Sequence, residues 1–224
     1  LFASSDQLWA HHVYLDSLKA RPTAGPSHTS FVDWLDARLD EIPRLERREA
    51  GITIDRWLEK TASLDAGSGP LSSIAISGSV PYSKVTPTGG VTAPMVFIPT
   101  GTAITSALAQ GKIVLRPAAT GSVPNAVFSA LQWWTYDPDA SITPTAVETY
   151  ERDFLGYEPR VQDLEAAGAA GAAGLVFIQG FPREQVLGHY APYEGGRWPV
   201  PALYVGVDEG ETLKQLAQSG GQAR

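Results

Sequence analysis

The chain has 224 residues, a formal charge of −7, 43% hydrophobic residues and 18% charged ones. That length allows one large domain or two small ones with a packed core, and an acidic surface without any Lys/Arg cluster argues against nucleic acid and anionic membrane as partners, since both need basic patches. Cysteine is absent, which removes disulfides, thiolate zinc sites and cysteine nucleophiles together, and no apolar run approaches the ~18 residues of a membrane helix.

Seventeen prolines and 22 glycines point to many turns and short strands. Residues 4–20 read as a helix, with Ser5 or Asp6 as cap and Leu8, Trp9, His12, Leu15 and Leu18 at helical spacing. Residues 21–26 form a break of turn residues. Residues 27–42 give a second helix, capped by Ser27, with Phe31, Leu35, Leu39 and Ile42 on one stripe and Trp34 beside it. Residues 50–58 switch to period two and predict a strand. Residues 64–69 read as a turn, residues 74–76 as a short strand, and residues 81–94 as an extended Pro/Gly/Thr/Ser connector. Strands follow at residues 95–98 and 113–115, separated by a polar excursion over 101–111. Residues 117–160 read as a long decorated loop packed by Trp133, Trp134 and Tyr136, with a turn at Asp137-Pro138-Asp139 and a short helix over 147–155.

The last third is the most regular. Residues 161–171 predict a helix whose Gly and Ala face can lie close to a sheet. A linker is the competing reading, but the apolar run Leu175-Val176-Phe177-Ile178 follows at once and suits one buried strand. Residues 200–207 predict another strand, with Pro201 at its start, where a missing N–H is tolerated. Asp208 stands where an N-cap belongs, with Glu211 three residues on. Leu213, Leu216 and Ala217 form the apolar face of the final helix, and Gly220 ends it.

These blocks carry a resemblance. The small-residue helix and apolar strand over 166–178, the strand Val200-Pro201-Ala202-Leu203-Tyr204-Val205, the helix start Asp208-Glu209-Gly210-Glu211-Thr212-Leu213 and the opening strand Gly111-Lys112-Ile113-Val114-Leu115 together resemble the protease-associated domain. Two further blocks, Arg21-Pro22-Thr23-Ala24-Gly25-Pro26-Ser27-His28 and the run Pro81-Tyr82-Ser83-Lys84-Val85-Thr86-Pro87-Thr88-Gly89-Gly90-Val91-Thr92-Ala93-Pro94, are similar to segments of zinc aminopeptidases of the bacterial aminopeptidase and glutamate carboxypeptidase type. The resemblance implies a peptidase-like N-terminal segment over 1–80 and a protease-associated-like domain over 81–224. The fold implied is α+β: a small β-barrel or sandwich of short strands flanked by helices, preceded by two N-terminal helices. After Leu115 the chain departs from the family: Arg116-Pro117-Ala118-Ala119 and the aromatic segment replace its usual "R-G-x-C-x-F".

Peptidases of that type hold two zinc ions through His and carboxylate ligands and use a Glu base. Their "H-x-D" and Glu-Glu signatures are missing from this sequence. No catalytic and no metal residue is therefore assigned, and zinc is expected only in a catalytic part outside this chain. His11 and His12 are adjacent on a helix and face different ways. His28 lies beside a helix cap, and His189-Tyr190 lacks the following Asp. Asp137 and Asp139 suit a proline-fixed turn better than a calcium loop. No G-x-S-x-G elbow is present, and Gly89-Gly90 and Gly195-Gly196 are turns rather than phosphate loops.

The expected role is a non-catalytic portion of a secreted or cell-envelope metallopeptidase, acting as a lid or substrate-access element. A chain that starts at Leu1 suits a processed or trimmed product. The candidate contact surface is Tyr82, Ser83, Lys84, Trp133, Trp134 and Tyr190. The expected partners are a catalytic peptidase domain or a peptide or protein substrate, with self-association through the apolar stripes of the N-terminal helices. The alternative is a free-standing module that binds proteins or peptides.

Overall fold

A computed structural model describes residues 4–19, 21, 23–53, 55–134, 136–139, 143, 145, 147–186 and 196–224, with residues 152–154 described by backbone alone. Tyr190 and His189 lie outside the described residues. The first helix, α1 (Ser5–Ser17), is capped one residue earlier than the sequence suggested. Ser4 Oγ accepts from the Gln7 N–H at 3.2 Å, and Gln7 Oε1 accepts from the Ser4 N–H at 2.8 Å. This reciprocal pair satisfies two donors that Ser5 or Asp6 could not reach together. The second helix, α2 (Pro26–Asp40), starts on proline, whose fixed φ and missing N–H suit the first helical position. Gly25 is its N-cap, so Ser27 lies inside the helix rather than capping it.

These two helices meet around Trp34. Tyr14 stacks on it at 5.5 Å, Phe31 at 6.2 Å, and the His11 ring packs edge-on at 5.3 Å. Neither helix contains a fully buried residue, and Leu8, Trp9 and Val13 stay exposed. The segment that follows, residues 45–63, carries no regular structure among its described residues, so the strand expected over 50–58 does not form. No strand pairs with its described residues, and its side-chain and backbone oxygens accept from groups elsewhere. The Glu59 carboxylate accepts from the Ser79 N–H at 2.6 Å, and the Asp55 carbonyl accepts from the Tyr82 hydroxyl.

Among the described residues one eight-stranded mixed sheet organises the rest. Its strands are β1 (Leu64–Gly67), β2 (Ser72–Ile74), β3 (Gly78–Ser79), β4 (Ala93–Phe97), β5 (Ile113–Pro117), β8 (Gly174–Ile178), β9 (Ala202–Val205) and β10 (Gln222–Ala223), in the order β2-β1-β10-β4-β5-β8-β9-β3. The central run β4-β5-β8-β9 is parallel, with Val114 opposite Leu175 and Leu175 opposite Ala202. The outer pairings are antiparallel. The edges β2 and β3 are separated in the chain by residues 75–77 alone. Four Cα steps reach at most about 14 Å, whereas seven strand spacings in a flat sheet span about 34 Å. The sheet is therefore curled until its two edges nearly meet.

Both faces of the parallel strands are covered, which is why their sequences read as continuous apolar runs. Val114, Leu175, Phe177, Ala202 and Tyr204 share one cluster with Leu164, Ala167 and Ala170 at the helix α5 (Tyr157–Ala169). Ile113, Leu115, Val176, Ile178 and Val205 share the other with Leu64, Ala66, Ala223 and Leu213 of α7 (Val207–Gln218). Helix α7 touches β1, β4, β5 and β8, so it lies across the inside of the curl.

Several expectations shift in detail. Residues 64–67 form a strand rather than a turn, held by pairing to β2 and β10 on either side. The excursion after β4 contains a helical turn, α3 (Ser106–Ala109). The helix expected over 147–155 is instead β7 (Thr149–Arg152) followed by a 3-10 turn (Asp153–Gly156), because β7 pairs with β6 (Gly121–Pro124) in a separate two-stranded ribbon. The short α4 (Ala126–Leu131) follows β6, and α6 (Arg183–Val186) lies between β8 and β9. Helix α5 starts at Tyr157, four residues earlier than expected. Helix α7 is capped by Gly206, not Asp208, which with Glu209 falls in the first turn and favours the positive helix end.

Candidate functional site

The connector residues are anchored to the sheet. The Ser83 hydroxyl donates to the Ala202 carbonyl at 3.4 Å, the Lys84 N–H to the Val200 carbonyl at 3.2 Å, and the Trp198 N–H to the Tyr82 carbonyl at 3.0 Å. Tyr82 holds a φ of 60°, a sparsely populated region for a side-chain-bearing residue. Its hydroxyl reaches back to Asp55, so one tyrosine ties the irregular 55–59 segment to the strand β9 region. Tyr82 and Ser83 are half-buried and Lys84 is exposed.

Two concavities adjoin this connector. The first, between Tyr82, Tyr157, Arg160, Trp198 and Tyr204, has a volume of about 10 Å³, room for about one water and no substrate. The second is an open groove of about 1010 Å³. Its floor includes Ile113, Leu175 and Leu203 from the sheet, and its walls are the 56–64 and 83–91 segments. Among the described residues Arg56, Lys60, Lys84 and Arg224 line it beside Glu59; Arg224 is paired with Asp65, Nη2 to Oδ2 at 3.3 Å, and the remaining lining keeps a net basic character on an acidic chain. Beside it β1 and β10 run antiparallel. The Asp65 N–H donates to the Arg224 carbonyl and the Arg224 N–H to the Asp65 carbonyl, both at 2.8 Å.

Trp133 and Trp134 belong to a different element. They follow α4 on the excursion that starts from the β6–β7 ribbon, whose base is closed by the Phe128–Tyr150 edge contact at 5.3 Å. Trp133 is 102% exposed and Trp134 76%. The aromatics expected to pack this loop do not do so. Phe128 and Tyr150 supply its packing, while Trp133, Trp134 and Tyr136 face solvent. The described contact residues named from sequence therefore fall into an anchored connector and an exposed tip, with Tyr190 outside the described residues.

Sequence reasoning missed the two buried arginines. Arg116 on β5 is 8% exposed and forks onto Asp163 of α5, Nε to Oδ2 at 2.9 Å and Nη2 to Oδ1 at 2.8 Å. Its Nη1 also donates to the carbonyls of Pro99 at 2.6 Å and Thr102 at 2.9 Å. Arg160 is 2% exposed and donates to the Ala119 carbonyl at 3.3 Å. A signal existed: Arg160, Asp163, Leu164 and Ala167 share the i, i+3, i+4, i+7 stripe that faces the sheet.

Among the described residues the donor set does not fit zinc. Among the described residues no three His, Asp or Glu side chains gather as a metal site, and His11 is committed to ring packing on Trp34. No described helix is long and apolar enough to cross a membrane.

The sequence matches no known protein-family profile and no curated protein. Solved structures do match. A peptidase M28 precursor from Shewanella amazonensis aligns with a TM-score of 0.58 at 16% identity, over 95% of this chain and 45% of that one. BSAP, a zinc aminopeptidase from Bacillus subtilis, aligns with a TM-score of 0.51 at 16% identity, over 96% of this chain and 42% of that one. The chain thus shares an α+β fold, with a curled mixed sheet, with these structures, and it spans less than half the length of each.

Proposed function

We propose that this chain is the N-terminal and protease-associated-like portion of a secreted zinc-dependent aminopeptidase-like metallopeptidase, and that it acts as a lid or substrate-access element. The observation that carries this reading is the fold match over 95% of the chain to under half of a peptidase precursor. In this reading residues 1–80 are the peptidase-like segment, which lends β1, β2 and β3 to the sheet, and residues 81–224 are the protease-associated-like domain. The adjacent β1 and β10 suit a domain inserted into a larger one, because incoming and outgoing chain then leave side by side. The basic groove next to them is the face offered to the catalytic part, and zinc belongs to that part rather than to these residues. The apolar face of α1 is covered there or by a second copy of the chain.

The test is to read the gene beyond Arg224 and assay its full product on aminoacyl p-nitroanilides, with and without a chelator. Zinc ligands in the downstream sequence and chelator-sensitive activity absent from residues 1–224 alone are expected. A stop codon at that point and no such activity would leave the second reading, a free-standing peptide-binding module, which the solvent-facing Trp133 and Trp134 favour.

A further inference from the structure

Among its described residues the excursion between β6 and β7 leaves an apolar tip in water. Leu131 is 75% exposed and Val147 89%, and with Trp133, Trp134 and Tyr136 they make five large apolar side chains facing water within 17 residues. Isolated exposed apolar residues are ordinary, but five in one short excursion mark a candidate contact surface. The ribbon presenting it is held independently, by the β6–β7 ladder, the Asn125 N–H on the Glu148 carbonyl at 2.9 Å and the Phe128–Tyr150 contact. Exposure at the tip is therefore not needed to fold the arm.

The charge pattern selects the occupant. From Pro117 to Glu151 the sequence contains no Lys, Arg or His, while Asp137, Asp139, Glu148 and Glu151 are all acidic. Asp139 and Glu148 are exposed. An apolar tip in a segment whose charged side chains are all carboxylates repels anionic lipid and acidic chains. Indole faces attract ammonium and guanidinium groups. We infer that the arm around Trp133 and Trp134 docks a polypeptide segment that is both apolar and cationic, its leucine-type side chains against the indoles and its Lys or Arg drawn to the exposed carboxylates of Asp139 and Glu148. The inference rests on the contact-surface reading of these aromatics and holds whether or not a zinc-bearing part follows the chain.

The experiment titrates the full 224-residue chain with a fluorescein-labelled Leu-Lys repeat peptide, a matched Leu-Glu peptide and phosphatidylcholine vesicles. Trp133→Ser/Trp134→Ser and Asp139→Asn/Glu148→Gln variants, checked for unchanged melting, accompany the parent. Binding of the Leu-Lys peptide alone is expected, weakened roughly tenfold or more in the tryptophan variant. It should weaken severalfold in the carboxamide variant and again on raising salt from about 0.05 to 0.5 M. Equal affinity for the Leu-Glu peptide, unchanged binding in the tryptophan variant, no peptide binding, or vesicle binding in place of peptide binding would each overturn the inference. None of these outcomes bears on chelator-sensitive aminopeptidase activity, so the two readings fail separately.

Discussion

Arg116 shows what a single side chain does for this fold. A guanidinium offers five donors in a rigid plane, and here it joins β5 to α5 through Asp163 and to the turn after β4 through the Pro99 and Thr102 carbonyls. Breaking a buried, hydrogen-bonded pair from one side strands the other charge and costs about 3–5 kcal/mol. Arg116→Ala and Asp163→Asn should each lower the urea midpoint by a large share of total stability. Arg116→Lys should also destabilise, since an ammonium cannot make the fork. A midpoint within error of the parent for all three would disprove this account. Gly210 works by absence. A Cβ there would overlap Cγ2 of Ile178, buried on β8. Alanine gains about 1 kcal/mol of helix propensity, but overpacking a fixed core position costs about 1–3 kcal/mol. Gly210→Ala should thus lower the melting temperature although it improves the helix, whereas a raised melting temperature would mean that α7 can shift outward.

Two elements decide how the sheet holds together. Helix α7 ends in a paired motif, with the Gly221 N–H on the Leu216 carbonyl at 2.8 Å and the Gly220 N–H on the Ala217 carbonyl at 3.1 Å. That reversal delivers the chain straight into β10. Leu213 on this helix is fully buried against strands from both halves of the curl, so Leu213→Ala should cost about 2–5 kcal/mol in chemical unfolding. Strand β10 is two residues long and joins β1 to β4. Proline at 223 removes a donor from this joint. Ala223→Pro should therefore raise hydrogen exchange in β1 and β2 while β5 and β8 stay protected. Uniform exchange throughout would show that β1 and β2 do not depend on β10.

At the scale of the molecule, the curled sheet buries its own faces and leaves α1 and α2 outside. Their shared aromatic centre at Trp34 accounts for Tyr14 and Phe31 but not for Leu8, Trp9 and Val13, which point to solvent. If a second copy covers this face, as proposed above, sedimentation should give a mass above 23.9 kDa that rises with concentration, and Trp9→Ser/Val13→Ser should restore the monomer. A monomer at all concentrations in the parent chain would remove self-association and leave the catalytic part as the partner.

By itself the sequence determined the elements whose burial is written into consecutive residues. The runs Ile113-Val114-Leu115 of β5 and Leu175-Val176-Phe177-Ile178 of β8 are apolar at every position because helices cover both faces, and the helix stripes of α5 and α7 repeat every three to four residues because each has one buried side. Only the tertiary structure decided the rest. Leu64-Asp65-Ala66-Gly67 is a strand because β2 and β10 pair with it, not because its residues favour extension. The β6–β7 ribbon, the Arg116–Asp163 fork and the meeting of β2 with β3 across three residues join positions that no local pattern connects. The same holds for the surface: Trp133 and Trp134 could be read as aromatic, but whether an indole packs inward or faces water depends on what the rest of the chain has already buried.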